Sequence, residues 1–215
     1  MTERKFIVEK KGIIVSFEGI DGCGKTTQAK LFCKYLDKQG LDYVLLNEPG
    51  GTYTGERIRK ILLDSKSKIQ PLSELFLYLA SRTQLVEEII KPCIEKGKIV
   101  VLDRYIDSTT AYQGYGRGIS LQLIRYMHSF ILESFLPDIT FLIDAPARKL
   151  LSVLKNKKRD RIEKESLEFQ EKVRDGYIQI AKHEKKRIKI IKRKTVSLTH
   201  KEIIKEWEKF IDGLK

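Results

Sequence analysis

Gly19-Ile20-Asp21-Gly22-Cys23-Gly24-Lys25-Thr26 is the stretch whose reading decides the fold. It has the spacing G-x-x-x-x-G-K-[ST], follows the apolar run Ile13-Ile14-Val15-Ser16-Phe17 and precedes a pattern that places Leu31, Phe32, Tyr35 and Leu36 on one helical face. Strand, glycine-rich turn and helix form the context in which this spacing becomes a phosphate cradle. The glycines let backbone N–H groups turn inward around phosphate oxygens, and the helix beginning near Lys25 adds its positive end. Lys25 is expected to reach the outer phosphates and the Thr26 hydroxyl to ligate Mg²⁺. Gly19, Asp21, Gly22, Cys23, Gly24, Lys25, Thr26 and Thr27 are therefore the expected contacts of the donor nucleotide, ATP.

Outward from this loop, the totals set limits. A chain of 215 residues holds one α/β domain with a sizeable core and is short for two. No apolar run approaches a membrane span, and the patch Phe6-Ile7-Val8 is too short for a signal-peptide core, so a cytoplasmic protein with no membrane partner is expected. Net charge is +13, from 42 basic and 29 acidic residues. The excess invites a nucleic-acid partner, yet no strand- or groove-reading motif accompanies it, and polyanionic small substrates account for it as well. Three cysteines, Cys23, Cys33 and Cys93, lack C-x-x-C spacing, which argues against a disulfide framework or a zinc site. Cys23 lies near a helix N-terminus, where a thiol can acidify, though a small side chain that fits the loop is the simpler role.

The chain has no visible repeat or linker. Gly40 reads as the glycine ending the first helix. A buried apolar strand is expected over 42–46, followed by the turn-rich Asn47-Glu48-Pro49-Gly50-Gly51-Thr52 and a short helix over 56–63. Residues 72–95 read as a long helix that Pro92 bends or closes. The run Ile99-Val100-Val101-Leu102-Asp103 has the form of a buried parallel strand delivering a carboxylate to its C-terminal edge. In phosphate-loop proteins such an aspartate holds the metal or its water. A helix-capping aspartate fits the pattern equally. Helices over 121–135, 147–154, 167–181 and 201–211, with strands over 139–143 and 187–191, complete five strands alternating with helices. That alternation predicts a parallel sheet covered by helices on both faces, with sites at the carboxyl edge.

Several blocks together resemble bacterial-type thymidylate kinase: Phe17-Glu18-Gly19 into the phosphate loop, Glu48-Pro49-Gly50-Gly51-Thr52, Ala80-Ser81-Arg82, Asp103-Arg104-Tyr105 with Ser108 and Ala111-Tyr112-Gln113-Gly114, Gly116-Arg117-Gly118-Ile119, and Asp160-Arg161-Ile162-Glu163. They cover nearly all of residues 13–212 in the family's order. The phosphate loop is generic; the D-R-Y and A-Y-Q-G blocks are specific. The resemblance implies a single nucleoside monophosphate kinase domain over 1–215, with an extension at 1–11 that matches nothing in the family and a lid at about 155–164. It implies that Arg104 and Arg59 grip the acceptor phosphate, as guanidinium forks suit a dianion. Tyr78 falls where the family stacks a phenylalanine on thymine, Arg82 where a donor meets a thymine carbonyl, and Thr109 and Gln113 near the N3 edge, with Tyr112 in the same block. Asp21 and Glu48 match acids near the sugar's 3′-hydroxyl.

Gly22 stands where one variety of the family has an arginine for the transferring phosphates. The other variety carries its basic groups in the lid, which the tract 155–161 fits. Lys25, Arg159 and Arg161 are accordingly the expected catalytic residues, with Lys155 and Lys158 as rivals for one slot. Asn47 departs from an arginine often found before Glu-Pro-Gly. These residues imply in-line transfer of the ATP γ-phosphoryl group to dTMP, with Mg²⁺ at Thr26 and Asp103 and a homodimer as the assembly. The rivals are a kinase of another acceptor on the same fold and a nucleic-acid-stimulated ATPase. A GTPase is disfavoured, because no N-K-x-D signature is present.

Overall fold

The computed structural model describes residues 12–132, 134–154 and 160–214. The extension 1–11 and the lid residues Lys155, Lys158 and Arg159 lie outside the described residues. Five parallel strands form one sheet: β1 (Ile13–Glu18), β2 (Tyr43–Asn47), β3 (Ile99–Asp103), β4 (Ile139–Asp144) and β5 (Ile188–Lys192), in the order β2-β3-β1-β4-β5. β1 is central and wholly buried. Its alternate side chains serve two cores. Ile13, Val15 and Phe17 pack with Phe32, Phe141 and Trp207, while Ile14 packs with Leu85, Ile90, Val100 and Leu102. Near-continuous apolar runs in β1 and β3 follow from this double coverage.

Around the sheet run α1 (Lys25–Lys38), α2 (Tyr53–Leu63), α3 (Pro71–Leu85), α4 (Lys91–Glu95), α5 (Ile106–Thr109), α6 (Leu121–Leu132), α7 (Ala147–Leu154), α8 (Leu167–His183) and α9 (Val196–Asp212). Thr52, Ser166 and Thr195 cap α2, α8 and α9 by accepting from Gly55, Phe169 and Leu198 N–H groups. The Thr195 cap starts the last helix five residues earlier than apolar spacing alone indicates. α1 ends at Gly40, as read from the sequence, with φ 65° there.

Two expectations change. The 42–46 strand is not buried throughout: only Leu46 is, and Leu45 is 38 % exposed. The chain crosses over β3 to make β2 the sheet edge, so one flank has no neighbouring strand among the described residues. The 72–95 helix is also not uniform. Val86–Ile90 widens into a π-turn between α3 and α4. Pro92 lacks an N–H and sits in the first turn of α4, where none is needed.

Register sets the site. Phe17 and Asn47 both lie opposite Asp103, so β1, β2 and β3 end level. The chain reverses direction across the sheet between β3 and β1, and clefts form beyond the carboxyl ends at such a point.

Candidate functional site

A cavity of about 480 Å³ opens at that carboxyl edge. On one side it is lined by residues 21–27 of the phosphate loop, and on the other by Glu48, Arg59, Tyr78, Arg82, Arg104, Thr109, Tyr112 and Gln113, with Asp103 between. Every acceptor-side residue expected from the sequence is therefore present. Gly19 is not in the lining: a Cβ there would fall 2.6 Å from Ile143 O and 2.8 Å from Cys23 Sγ, so its role is to let β1 leave the sheet past β4. Gly24, at φ 101°, turns the chain into α1 with no side chain to strain. Cys23 is buried beneath the loop, and burial pushes its thiol up, against the acidification its helix position suggested. It is a filler.

Asp21 stands between the two halves. Its Oδ1 accepts from Arg104 Nη2 at 2.5 Å and lies 3.5 Å from Lys25 Nζ, while Oδ2 accepts from the Tyr112 hydroxyl at 2.9 Å. Burial would raise this carboxyl, but Arg104 and Lys25 outweigh it and hold Asp21 well below the usual carboxylate range. The two cations expected at the two phosphates thus share one counter-ion. The expected sugar-side role of Asp21 competes with this pairing.

Arg104 follows β3 directly and is the one non-glycine residue with positive φ, 74°, among the described residues. Such a backbone costs on the order of 1 kcal/mol and persists only where surroundings enforce it. They do so through Glu18. Its Oε1 accepts from the Tyr105 N–H at 2.7 Å, and Oε2 accepts from the Ser108 and Tyr177 hydroxyls at 2.6 and 3.0 Å. Both hydroxyls also accept from Arg104 Nη1, as does Gly19 O. Burial, then the nearby Asp107, push the Glu18 carboxyl up to about 7 against these donors.

Arg82 is 1 % exposed on α3. Its Nε and Nη2 donate to the Glu48 carboxylate, Nη2 also to Thr109 Oγ1 at 2.9 Å, and Nη1 pairs with His128 Nε2 at 2.9 Å. Glu48, expected near the sugar, lines the cavity and is paired with Arg82: a buried guanidinium needs a buried anion, and Glu48 supplies it. Arg59 donates to Pro49 O at 2.7 Å, which holds it at the cavity wall.

Arg161 differs from expectation. It does not line the cavity; Nη1 pairs with Glu74 at 2.6 Å and Nε donates to Leu62 O at 2.8 Å. Glu74 is a buried carboxylate that also receives Gln113 and Arg117, and these donors hold its pKa low against burial. Arg161 is drawn there by the charge. Arg117 in turn stacks on Phe169 and pairs with Glu165, so the described end of the lid is tied to α3 and α8.

The donor set for a metal fits Mg²⁺. Thr26 Oγ1 donates to Asp103 Oδ2 at 2.5 Å, and Asp103 Oδ1 is buried with no partner among the described residues. Among the described residues no cluster of three metal-binding side chains exists. One or two protein oxygens, with the rest from water and phosphates, is the coordination Mg²⁺ accepts.

Glu18, Ser108, Tyr177, Glu74 and His128 are the residues that sequence reading did not place in the site. Glu18 and Ser108 stand inside the specific blocks, so their signal was present. Tyr177 lies on a helix 73 residues from Arg104, and no local pattern marks it.

Comparison with known proteins gives a consistent result. A family model described as thymidylate kinase matches residues 17–203. The chain is 44 % identical over 206 residues to a thymidylate kinase of Caldanaerobacter subterraneus subsp. tengcongensis, covering 95 % of this chain and 99 % of that protein. It is 46 % identical over 202 residues to one from Thermoanaerobacter sp., covering 94 % and 100 %. Among solved structures, thymidylate kinase from Ehrlichia chaffeensis superposes with a TM-score of 0.77 at 37 % identity, over 91 % of this chain and 98 % of that one.

Proposed function

This chain belongs to the thymidylate kinase family, and from that premise we propose that it phosphorylates dTMP to dTDP with ATP as donor. The observation that carries the reading is a cavity in which a phosphate loop faces Arg59 and Arg104, with Tyr78, Arg82, Thr109 and Gln113 in the same lining. A dTMP phosphate oxygen attacks the γ-phosphorus, and the bond to the bridging oxygen breaks, its electron pair leaving on ADP. No strong base is required, because the attacking oxygen is already ionised. The protein's work is alignment, charge compensation and water exclusion. Lys25 serves the donor phosphates; Arg104 and Arg59 serve the acceptor phosphate, with Arg104 exchanging Asp21 for it. Tyr78 stacks on the base, Arg82 donates to a carbonyl of it, and Thr109, Tyr112 and Gln113 close the pocket.

Thr26 and Asp103 would hold Mg²⁺, which supplies positive charge at the donor phosphates. Of the lid residues, Arg159 is assigned to the transferring group, since Arg161 would reach it only by leaving Glu74. Arg159→Ala should lower kcat more than it raises KM for dTMP, the signature of a contact made in the transition state. Steady-state kinetics with dTMP varied checks this; equal effects on both parameters would assign Arg159 to binding.

Exposed Tyr126 and Phe130 on α6, with Phe76 and Leu72 on α3, support a homodimer. No helix among the described residues is long and apolar enough to cross a membrane. A cytoplasmic enzyme of small-molecule substrates, without a nucleic-acid partner, is the corresponding proposal. ADP formation across thymidine, a panel of nucleoside monophosphates and DNA tests the whole reading. dTMP should be consumed in preference to the rest, and protein that ignores dTMP while using another acceptor overturns it.

A further inference from the structure

We propose that His128, a residue of α6 outside the substrate's reach, determines acceptor-base specificity by acting as a neutral hydrogen-bond acceptor that fixes which N–H of Arg82 is left for the nucleotide. The inference rests on the dTMP reading above and deepens it. A guanidinium has five N–H groups and no acceptor. Arg82 spends its Nε–H on Glu48 and both Nη2 hydrogens on Glu48 and Thr109, with Tyr105 O 3.2 Å away as a further acceptor. One Nη1 hydrogen goes to His128 Nε2 at 2.9 Å. A single Nη1–H remains without an acceptor among the described residues, on a side chain that lines the cavity.

Because Arg82 can only donate, His128 Nε2 must be the bare nitrogen, and the ring carries its proton on Nδ1. The ring is buried, and burial together with the adjacent guanidinium charge holds its pKa well below the ordinary histidine value, which keeps this tautomer neutral. The consequence is directional. Glu48 and Thr109 clamp one edge of the guanidinium, and His128 clamps one of the two Nη1 hydrogens on the other. The group cannot swing to offer a different edge. The remaining donor demands a carbonyl oxygen from the base, which thymine has at C4 and cytosine replaces with an amine, itself a donor. A site built to give a hydrogen bond rejects a base that cannot take one, because a buried donor is left unpaired.

His128 is thus a positioning residue. The phosphate is held elsewhere, by Arg104 and Arg59, so its loss should spare the chemical step. His128→Leu should raise KM for dTMP about tenfold, leave kcat within about twofold, and cut the dTMP-over-dCMP ratio of kcat/KM about tenfold, as expected for one hydrogen bond to a charged group. His128→Gln, whose amide oxygen can take the place of Nε2, should restore most of the ratio. The tautomer is read without turnover from the imidazole ¹⁵N shifts of the nucleotide-free protein at neutral pH, which should show Nδ1 protonated and Nε2 bare. A protonated Nε2 overturns the proposal, and so does a His128→Leu enzyme that keeps the wild-type KM and dTMP/dCMP ratio. Should the leucine variant not fold, a folded His128→Gln enzyme that loses the wild-type dTMP/dCMP ratio overturns the proposal equally. Wild-type protein inert on dTMP is a separate result, visible before any variant is made, and sinks the functional reading itself.

Discussion

Arg82 and Arg104 both line the acceptor half of one cavity, and they are held there in different ways. Arg82 sits mid-helix on ordinary backbone, 1 % exposed, and its charge is balanced inside the protein by Glu48, which is 3 % exposed. Arg104 sits one residue past a strand, at φ 74°, with 16 % of its side chain exposed. Its counter-ion, Asp21, belongs to the phosphate loop and is shared with Lys25. The first arginine is neutralised permanently and can read only shape and hydrogen-bond direction. The second is neutralised provisionally, by a carboxylate that an incoming phosphate can replace. The roles proposed for them, a base for Arg82 and a dianion for Arg104, call for these two different arrangements of the same side chain.

The largest effect should come from breaking the provisional pair. Arg104→Ala should lower kcat/KM for dTMP by about a thousandfold, the scale of losing a forked, charge-assisted contact to a phosphate in a secluded site. Thermal stability should fall by less than for the Glu48 change below, because Asp21 keeps Lys25 and the Ser108 and Tyr177 hydroxyls keep Glu18. A variant that instead unfolds early would show Arg104 to be structural and erase the contrast with Arg82.

Next comes the permanent pair. Glu48→Gln removes the anion and leaves the Arg82 guanidinium buried with its charge uncompensated. Stability should drop by about 3–5 kcal/mol, and KM for dTMP should rise about tenfold with kcat less affected. Denaturant unfolding alongside steady-state kinetics measures both. If stability were unchanged, the charge of Arg82 would have to be balanced from elsewhere.

The contrast also explains what could be read from the sequence. The phosphate loop and the strand alternation were legible because each is encoded by neighbours, glycines at fixed spacing and apolar runs. The residues proposed for the acceptor came from the resemblance of whole blocks such as D-R-Y, and the structure places them along one cavity. The partners that give those residues their state were not legible. His128 is a lone histidine on an amphipathic helix, 46 residues from Arg82, and Glu74 meets Arg161 from across the fold. Periodicity reports that a face is buried and is silent on what it is buried against. The edge position of β2 was hidden for the same reason: the crossover that leaves it outermost depends on where β3 inserts. Lys155, Lys158 and Arg159 lie outside the described residues, so the expectations placed on them stand as proposals.

The smallest effect is the most specific to Arg104. Glu18 lies beneath it and faces Tyr105 N–H, Ser108 and Tyr177 as donors, with Arg104 and Asp107 as the nearest charges; Asp107 is itself paired with Arg187 at 2.7 Å. Ionised, Glu18 accepts one hydrogen from each hydroxyl, which turns their lone pairs toward Arg104. Protonated, it must donate to one hydroxyl, whose own hydrogen then turns to the other hydroxyl 2.7 Å away, and a lone pair that faced Arg104 is taken up. KM for dTMP should therefore rise a few-fold as pH falls through about 7. Glu18→Gln should hold a raised KM across the same range without that limb. The substrate's own phosphate titrates near 6, but it does so identically for both proteins, so the difference between the profiles belongs to Glu18. Stability gives the sign independently. The folded carboxyl titrates near 7 against an ordinary 4.5, so between those values the folded state holds more protons than the unfolded one. Stability from this group is greatest below 4.5 and falls as pH rises to 7, by about 3 kcal/mol in all. The glutamine variant should lack that decline. Parallel pH profiles of the two proteins, in both KM and unfolding free energy, would show the hydroxyls to be oriented by something other than Glu18.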